Sequence, residues 1–369
     1  MKILKTMCRN IFEYRRRLLC LHPPEIPANY RCFSADSKSA LRLLFFGTDH
    51  FSLPSLRILN ENRKATNGTV RSLEVVTSFK AKKNPLKQYA QAEGLRLHDW
   101  PLRYSNVQQD FDLGIVVSFG HLIPEALISA FRLGMLNVHA SLLPKLRGAA
   151  PIVHAIRNGD RQTGVTIMKI KPKHFDVGEI LKQEKVAIPS NILMPELHSQ
   201  LAQLGAETLV ECVGNLDYYY NNLKLQDDSA ATYAPKIDAK FAEVRWSELT
   251  AQQVYDLYRS LYSYKPLTTR FTSSSDETIK LFKLVYDDHV SVEDSSSKTV
   301  PGQVQYCRLR KRLRVWCYDG KSVEVEQLGI GGRKVLSAAE FYNGYLSKVK
   351  PAQRLFGTGM LGLSTKDTN

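Results

Sequence analysis

Residues 41 to 47 read LRLLFFG. A short run that is almost wholly apolar and closes on a glycine is the pattern of a strand buried on both faces of a parallel sheet. SLPSLRILN follows and starts a helix. Leu73 to Phe79 is a second strand, with the helical KQYAQAEG after it. FDLGIVVSFG supplies a third strand, and IPEALISAF a short helix with Pro124 near its start. GMLNVHAS is a further strand, and AAPIVHAIRNG a helix closed by Gly159. TGVTIMKI and ILKQEKVAI add strands before a long helix from Met194 to Val213. This alternation predicts an α/β fold built on an open, mostly parallel sheet with crossover connections. The first glycine turn, GTDHFS, holds one glycine where a dinucleotide fingerprint needs three, and no Walker A sequence occurs.

The 369 residues suffice for two ordinary domains, and 43% hydrophobic against 24% charged residues support a packed core. No apolar run approaches the roughly 18 residues of a bilayer crossing, so no membrane insertion is expected. The six cysteines form no CxxC pair, which argues against a disulfide scaffold or thiolate zinc site. Lys and Arg number 51 against 36 Asp and Glu, a net charge of +15. Such an excess attracts polyanions over long range and makes nucleic acid a serious partner class, beside a merely basic soluble enzyme.

Residues 1 to 40 carry eight basic and three acidic side chains. MKILKTMCRNIFEYRRRLLCL mixes apolar residues with the run Arg15 to Arg17, the basic amphipathic character of an organelle presequence. Pro23, Pro24 and Pro27 stop any helix, and RCFS at 31 to 34 looks like a cleavage site. The expectation is a mitochondrial leader over 1–33 and residence in the matrix.

The densest polar constellation is GMLNVHASLLPKLRGAAP, residues 134 to 151. Asn137 and His139 are two apart on a strand, so both face the same way, opposite Leu136 and Val138. That pattern beside a Pro- and Gly-rich loop fits an active-site edge, or a hydrogen-bonded structural pair. In KPKHFDVGE, Asp176 lies in a loop between two strands, where it either caps a turn or faces His139. Facing it, the carboxylate would orient the imidazole. His154, in a helical stretch, reads as partly buried and structural, and His174 as solvent-facing. His139, His154 and Asp176 have no recognised zinc spacing and no catalytic Glu, so no metal is expected.

The run HASLLPKLRGAAP, the preceding Asn137, and GVTIMKIKPKHFDVGEIL resemble the family of formyltransferases that use 10-formyltetrahydrofolate. The similarity covers about residues 41 to 345. RGAAP, at Arg147 to Pro151, favours the branch that formylates a tRNA over purine-synthesis enzymes. The resemblance implies a Rossmann-like formyltransferase fold and a catalytic Asn137, His139 and Asp176. It also implies a folate site at Ser141, Leu142, Leu143 and Pro144, with Gly120 and His121 near the pterin. The implied activity is formyl transfer to the α-amine of methionine on initiator tRNA, with neither metal nor covalent enzyme intermediate. A small-amine formyltransferase and a 10-formyltetrahydrofolate hydrolase are the alternatives.

Residues 41–213 are expected to form the catalytic domain, and the polar, aromatic stretch 214–245 a linker. From Trp246, WSELTAQQVYDLYRSL gives a helix. TIKLFKLVY, PGQVQYC, RLRVWCYD and KSVEVEQL read as strands separated by turns. These predict a small, OB-like β-barrel over 246–346, with a flexible tail at 347–369. CRLRKRLRVW places Arg308, Arg310, Lys311, Arg312 and Arg314 in seven residues without an acid, and GGRK adds Arg333 and Lys334. Such a hairpin tracks phosphates or is a solvated turn. Lys80, Lys82 and Lys83 keep an earlier, short loop basic, and Arg147 joins them as a candidate tRNA contact. A monomer is expected.

Overall fold

Strand β1 (Leu41–Gly47) is apolar on both sides because both sides are covered. Leu43 and Phe45 enter one core layer, Leu44 and Phe46 the other, and all four are fully buried. Burial of each such side chain contributes about 1.5–3 kcal/mol, which excludes polar residues from this stretch. Arg42, at the strand's start, uses its amide and guanidinium on Asp112. Burial alone would raise that carboxyl, but the contacts from Arg42 outweigh it and hold Asp112 below its ordinary range.

The computed structural model describes residues 40–80, 84–102, 107–271, 277–286 and 300–357. The expected leader, Lys82 and Lys83 lie outside the described residues. After β1 come α1 (Leu53–Lys64), β2 (Val70–Thr77), α2 (Pro85–Ala92), β3 (Leu97–Asp99), α3 (Val107–Asp110) and β4 (Leu113–Val117). Then follow α4 (Glu125–Ser129), β5 (Met135–His139), α5 (Pro151–Arg157), β6 (Gln162–Lys169), β7 (Ile180–Ala187), α6 (Met194–Gly214) and α7 (Leu216–Asn221). The seven strands make one sheet in the order β3-β2-β1-β4-β5-β6-β7. The first five are mutually parallel, β6 runs against them, and β7, antiparallel to β6, returns to their direction, so the sheet is mixed. Strand order reverses between β1 and β4, where open α/β sheets leave a crevice at their carboxyl edge.

Helix α6 crosses directly behind β5. Gly205 permits that approach, because a Cβ there would lie 2.8 Å from Val138 Cγ1. Leu136 and Val138 are therefore packed on the helix side, and Asn137 and His139 are left on the other face.

After α7 the chain crosses to α8 (Ala251–Leu261) in largely extended form, broken by short 3-10 turns at Asp228–Ala230 and Lys240–Ala242. A second sheet follows from β8 (Leu267–Phe271), β9 (Thr278–Val285), β10 (Val304–Cys307), β11 (Arg312–Trp316), β12 (Ser322–Ile330) and β13 (Leu336–Ser337). Helix α9 (Ala338–Gly344) precedes β14 (Phe356–Gly357). The order is β10-β11-β12-β9-β8-β14, with β13 on β12 and every pairing antiparallel. A bridge between Gln303 and Leu355 ties the two ends together. The tail expected from 347 needs correction: Phe356 is 2% exposed and packs on Trp246, Phe271 and Phe341. That apolar anchor draws the chain back into the sheet through residue 357.

Helices α5 and α8 pack together, and Val153 of α5 joins the core of the second sheet. Arg259 of α8 is buried with Asp256, its Nη2 2.5 Å from Oδ1, and its Nη1 donates to the Ile192 carbonyl at 2.9 Å. Removing Arg259 would strand that carbonyl and leave the buried carboxylate without its counter-charge, with Gln252 Nε2 as a remaining donor at 2.8 Å. Arg259→Ala is expected to lower unfolding free energy by about 3–5 kcal/mol, read from denaturant melts; a change under about 1 kcal/mol would contradict this account.

Candidate active site

The site is built at the carboxyl end of β5. His139 is 6% exposed, and its Nε2 lies 2.9 Å from the Leu146 carbonyl oxygen. A carbonyl only accepts, so Nε2 carries the proton, and Nδ1 is the nitrogen turned to the remaining polar groups. Asp176 Oδ1 stands 3.6 Å from that Nδ1 and 3.4 Å from Asn137 Nδ2. The first separation is an ion-pair distance rather than a hydrogen bond. The other carboxylate oxygen, Oδ2, accepts from the Gly148 amide at 2.9 Å. Asp176 has φ +55°, in the left-handed region that a non-glycine residue rarely occupies. Such backbone strain persists only where the surroundings impose it.

The loop from Ala140 to Ala150 delivers the two main-chain groups, and it is fastened on both flanks. On one side Thr166 of β6 donates to the Ser141 carbonyl (2.6 Å) and accepts from the Leu143 amide (3.1 Å). Gln183 of β7 donates to the Leu143 carbonyl at 2.8 Å. Across the other flank runs the extended segment after α7. Arg147 donates its amide to the Thr232 carbonyl and accepts from Ala234, while the Thr232 hydroxyl accepts from the Leu146 amide. Gly148 (φ +116°) must be glycine here, since a Cβ would meet the Ala234 carbonyl at 2.7 Å. In the same segment Gln226 donates to the Asp176 and Gly178 carbonyls at 2.9 and 2.8 Å.

The structure thus brings Asn137, His139 and Asp176 together. An amide with a further N–H, an imidazole with an unprotonated nitrogen and a carboxylate can stabilise an oxyanion and move a proton.

The profile described as "Formyl transferase" matches residues 56–213, and that described as "Formyl transferase, C-terminal domain" matches 236–346. The chain is 41% identical over 366 residues to "Methionyl-tRNA formyltransferase, mitochondrial" of Rattus norvegicus, covering 95% of this chain and 92% of that protein. The chain belongs to the formyl transferase family. Among solved structures it resembles WlaRD, a sugar 3N-formyl transferase in the presence of dTDP and 5-N-formyl-THF. That match has a TM-score of 0.56 and 16% identity, over 80% of this chain and 99% of that one. HypX from Aquifex aeolicus in complex with tetrahydrofolic acid aligns with a TM-score of 0.53 and 19% identity. That match covers 85% of this chain but spans about half, 48%, of the HypX chain. At these identities the two structures speak to the fold alone.

Within this formyl transferase fold the other expected site residues fall into distinct settings. Ser141 and Leu143 are buried, whereas Leu142 and Pro144 are half-buried at the loop surface. Gly120 (φ +72°) and His121 form an exposed turn after β4, with the His121 ring 5.8 Å from Trp100 and 5.1 Å from Phe119. Next to it, the Ser118 hydroxyl donates to Asp49 and the Ser118 carbonyl accepts from Thr48, joining the two rims of the crevice. Among the described residues no cluster of three metal-binding side chains occurs.

Arg147 is a correction. It is 4% exposed, and its guanidinium is spent on Gln226 and Asp228 rather than offered to a phosphate. Lys80, Arg308, Lys311 and Lys334 are exposed. Arg310 and Arg312 both bind Glu324, Arg312 also binds Glu326, and Arg314 lies 3.8 Å from Glu324. Three of the hairpin's five cations therefore face two carboxylates, and the group as a whole sums to +3. Arg333 is held by Glu277 and the Tyr345 hydroxyl. Sequence reading missed Gln226, Thr166 and Gln183. Their positions are polar, but no local pattern tied them to β5.

His154 is structural: 9% exposed, with Nε2 3.1 Å from the Pro235 carbonyl and its ring against Phe241. Burial pushes its pKa below the ordinary value of about 6.5, and Arg157 adds to that against the opposing Pro235 bond. The unfolded chain then binds the proton more readily, so this contribution to stability is complete above about pH 6.5 and is lost as pH falls toward the lowered value. His154→Gln is expected to flatten the decline in Tm between about pH 7 and 5. An unchanged pH slope would remove His154 as its source.

Proposed function

We propose that the chain transfers the formyl group of 10-formyltetrahydrofolate to the α-amine of methionine on initiator methionyl-tRNA, releasing tetrahydrofolate, in the mitochondrion. One observation carries the reading. Asn137, His139 and Asp176 converge at one sheet edge, in a chain 41% identical along 95% of its length to a mitochondrial methionyl-tRNA formyltransferase.

The neutral amine attacks the formyl carbon, a C–N bond forms, and the carbonyl π electrons move to oxygen. Asn137 has one amide hydrogen directed to Asp176 and a second free to donate to that oxygen. A donor of this kind supplies about 3 kcal/mol of transition-state stabilisation. The nitrogen that attacked must lose a proton, and His139 Nδ1 accepts it because Nε2 is already committed to Leu146. The imidazolium so formed has Asp176 as its counter-charge at 3.6 Å. When the oxyanion collapses, the bond from carbon to folate N10 breaks, and N10 takes a proton to give tetrahydrofolate. The donor lies along the crevice between β1 and β4, against the half-buried Leu142 and Pro144 and the Gly120–His121 turn, with Ser141 and Leu143 shaping the loop from inside.

The second sheet, read as an OB-like barrel over 246–346, carries the tRNA, while residues 41–213 perform the transfer and 214–245 link the two. Lys80, Arg308, Lys311, Arg333 and Lys334 supply phosphate contacts, and the chain acts as a monomer.

His139→Ala and Asp176→Asn are each expected to lower kcat by about a hundredfold or more, and Asn137→Ala by about a hundredfold, with tRNA affinity largely kept. The measurement is transfer from labelled 10-formyltetrahydrofolate to methionyl-tRNA, with free methionine as the control acceptor. Retained turnover in the His139 and Asp176 variants would defeat the assignment. Equal use of free methionine would favour a small-amine acceptor.

At the hairpin, Arg308 and Lys311 make no ion pair among the described residues. Replacing both by Ala is expected to raise KM for tRNA and to reduce the log–log salt slope of binding by about 2, one per lost phosphate contact. An unchanged slope takes the hairpin out of the interface.

A further inference from the structure

We propose that Gln226 is a positioning residue for the transfer, holding Asp176 in its left-handed backbone conformation, with Arg147 fixing which way the Gln226 amide points. The proposal rests on the formyl-transfer reading above and assigns a role to a residue far from the motif in sequence.

Gln226 lies half-buried in the extended segment after α7. Its Oε1 accepts from Arg147 Nε at 3.1 Å and from Nη2 at 2.8 Å. A guanidinium can only donate, so the oxygen end of the amide must face Arg147, and the NH2 end must face away. That end meets two carbonyl oxygens, those of Asp176 at 2.9 Å and Gly178 at 2.8 Å. The two carbonyls flank Val177, and bridging them with one planar amide locks the turn in which Asp176 takes φ +55°. From that turn the carboxylate reaches Gly148 with one oxygen, and Asn137 and His139 with the other. Arg147 and Gly148 are sequence neighbours, so a single two-residue stretch anchors both Gln226 and the carboxylate that Gln226 places. Arg147 Nη2, which bonds Gln226, also donates to Asp228 at 2.7 Å, a second tie on the guanidinium.

The consequence is specific. A Gln226 that merely held the fold together would affect stability. A Gln226 that aims Asp176 affects turnover, because catalytic geometry is sensitive to displacements near 1 Å. Gln226→Glu separates the two. The carboxylate keeps its acceptor for Arg147 and adds a countercharge, yet it presents oxygen to the two carbonyls that need a donor. Gln226→Met removes both ends at similar volume.

The experiment uses the full chain, saturating 10-formyltetrahydrofolate and methionyl-tRNA, and rates normalised to folded protein by circular dichroism. Both variants are expected to lose about tenfold to a hundredfold in kcat, with each KM within about twofold of the parent. For Gln226→Glu the Tm should stay within a few degrees. In an Asp176→Asn background, adding Gln226→Met should cost less than about twofold more, since the group it aims is already disabled. The proposal is overturned if both single variants keep kcat within about twofold, if loss of activity tracks loss of folded protein, or if the double variant shows multiplied losses. Failure of the formyl-transfer reading itself is distinct: the unchanged chain would then formylate no methionyl-tRNA, and this proposal would fall with it.

Discussion

The polar end of β5 depends on two main-chain groups, the Leu146 carbonyl and the Gly148 amide, being held two residues apart on opposite duties. The carbonyl takes the Nε2 proton of His139, and the amide takes one oxygen of Asp176. A loop alone would not keep them there, because loop residues lose about 1–2 kcal/mol of backbone entropy each on being fixed. Here the loop is paired like an interior strand. A parallel bridge joins Arg147 to Tyr233, and Thr166 and Gln183 close the opposite flank. The segment linking the two sheets is thus part of the site's scaffold, and its conformation and that of the imidazole are set together.

Much of the first sheet was legible because its strands are buried on both faces. LRLLFFG and FDLGIVVSFG declare themselves by continuous apolar character, and β5 by the break in that character at Asn137 and His139. The direction of β6 was less accessible. Its link from β5 contains helix α5, as a parallel crossover would, yet β6 pairs antiparallel with β5. Short β3 escaped notice for another reason: three residues carry no period. The tail departs from expectation because the sequence around Phe356 is Gly- and Thr-containing without a period, and one aromatic ring docking among Trp246, Phe271 and Phe341 is a tertiary event that no local pattern records.

Charge shows the same limit more sharply. Counting cations along CRLRKRLRVW gives five without an acid, but sheet register sets Arg314 directly across from Glu324 on β12. Glu324 then gathers Arg310 and Arg312 as well, so a cluster that is basic in sequence is partly neutralised in space. Arg147 departs further: a cation in the signature loop is buried by polar residues some 80 positions away in the chain. In both cases the missing information is which residues pair across elements.

The position of the imidazole proton links this scaffold to the chemistry. Were Nε2 free and Nδ1 held, the basic nitrogen would point into the loop and the carboxylate would face an N–H. Instead Leu146 claims Nε2, and Nδ1 faces Asp176 across 3.6 Å with Asn137 beside it. In the transfer proposed above, Asp176 becomes an ion-pair partner only once Nδ1 has taken the amine's proton, so the pair would serve the state after that step more than the state before. That difference between ground state and transition state is what lowers a barrier, and uniform binding of either state would not. The strap across the loop, the glycine at 148 and the left-handed turn at 176 together hold that arrangement of imidazole, carboxylate and amide in place.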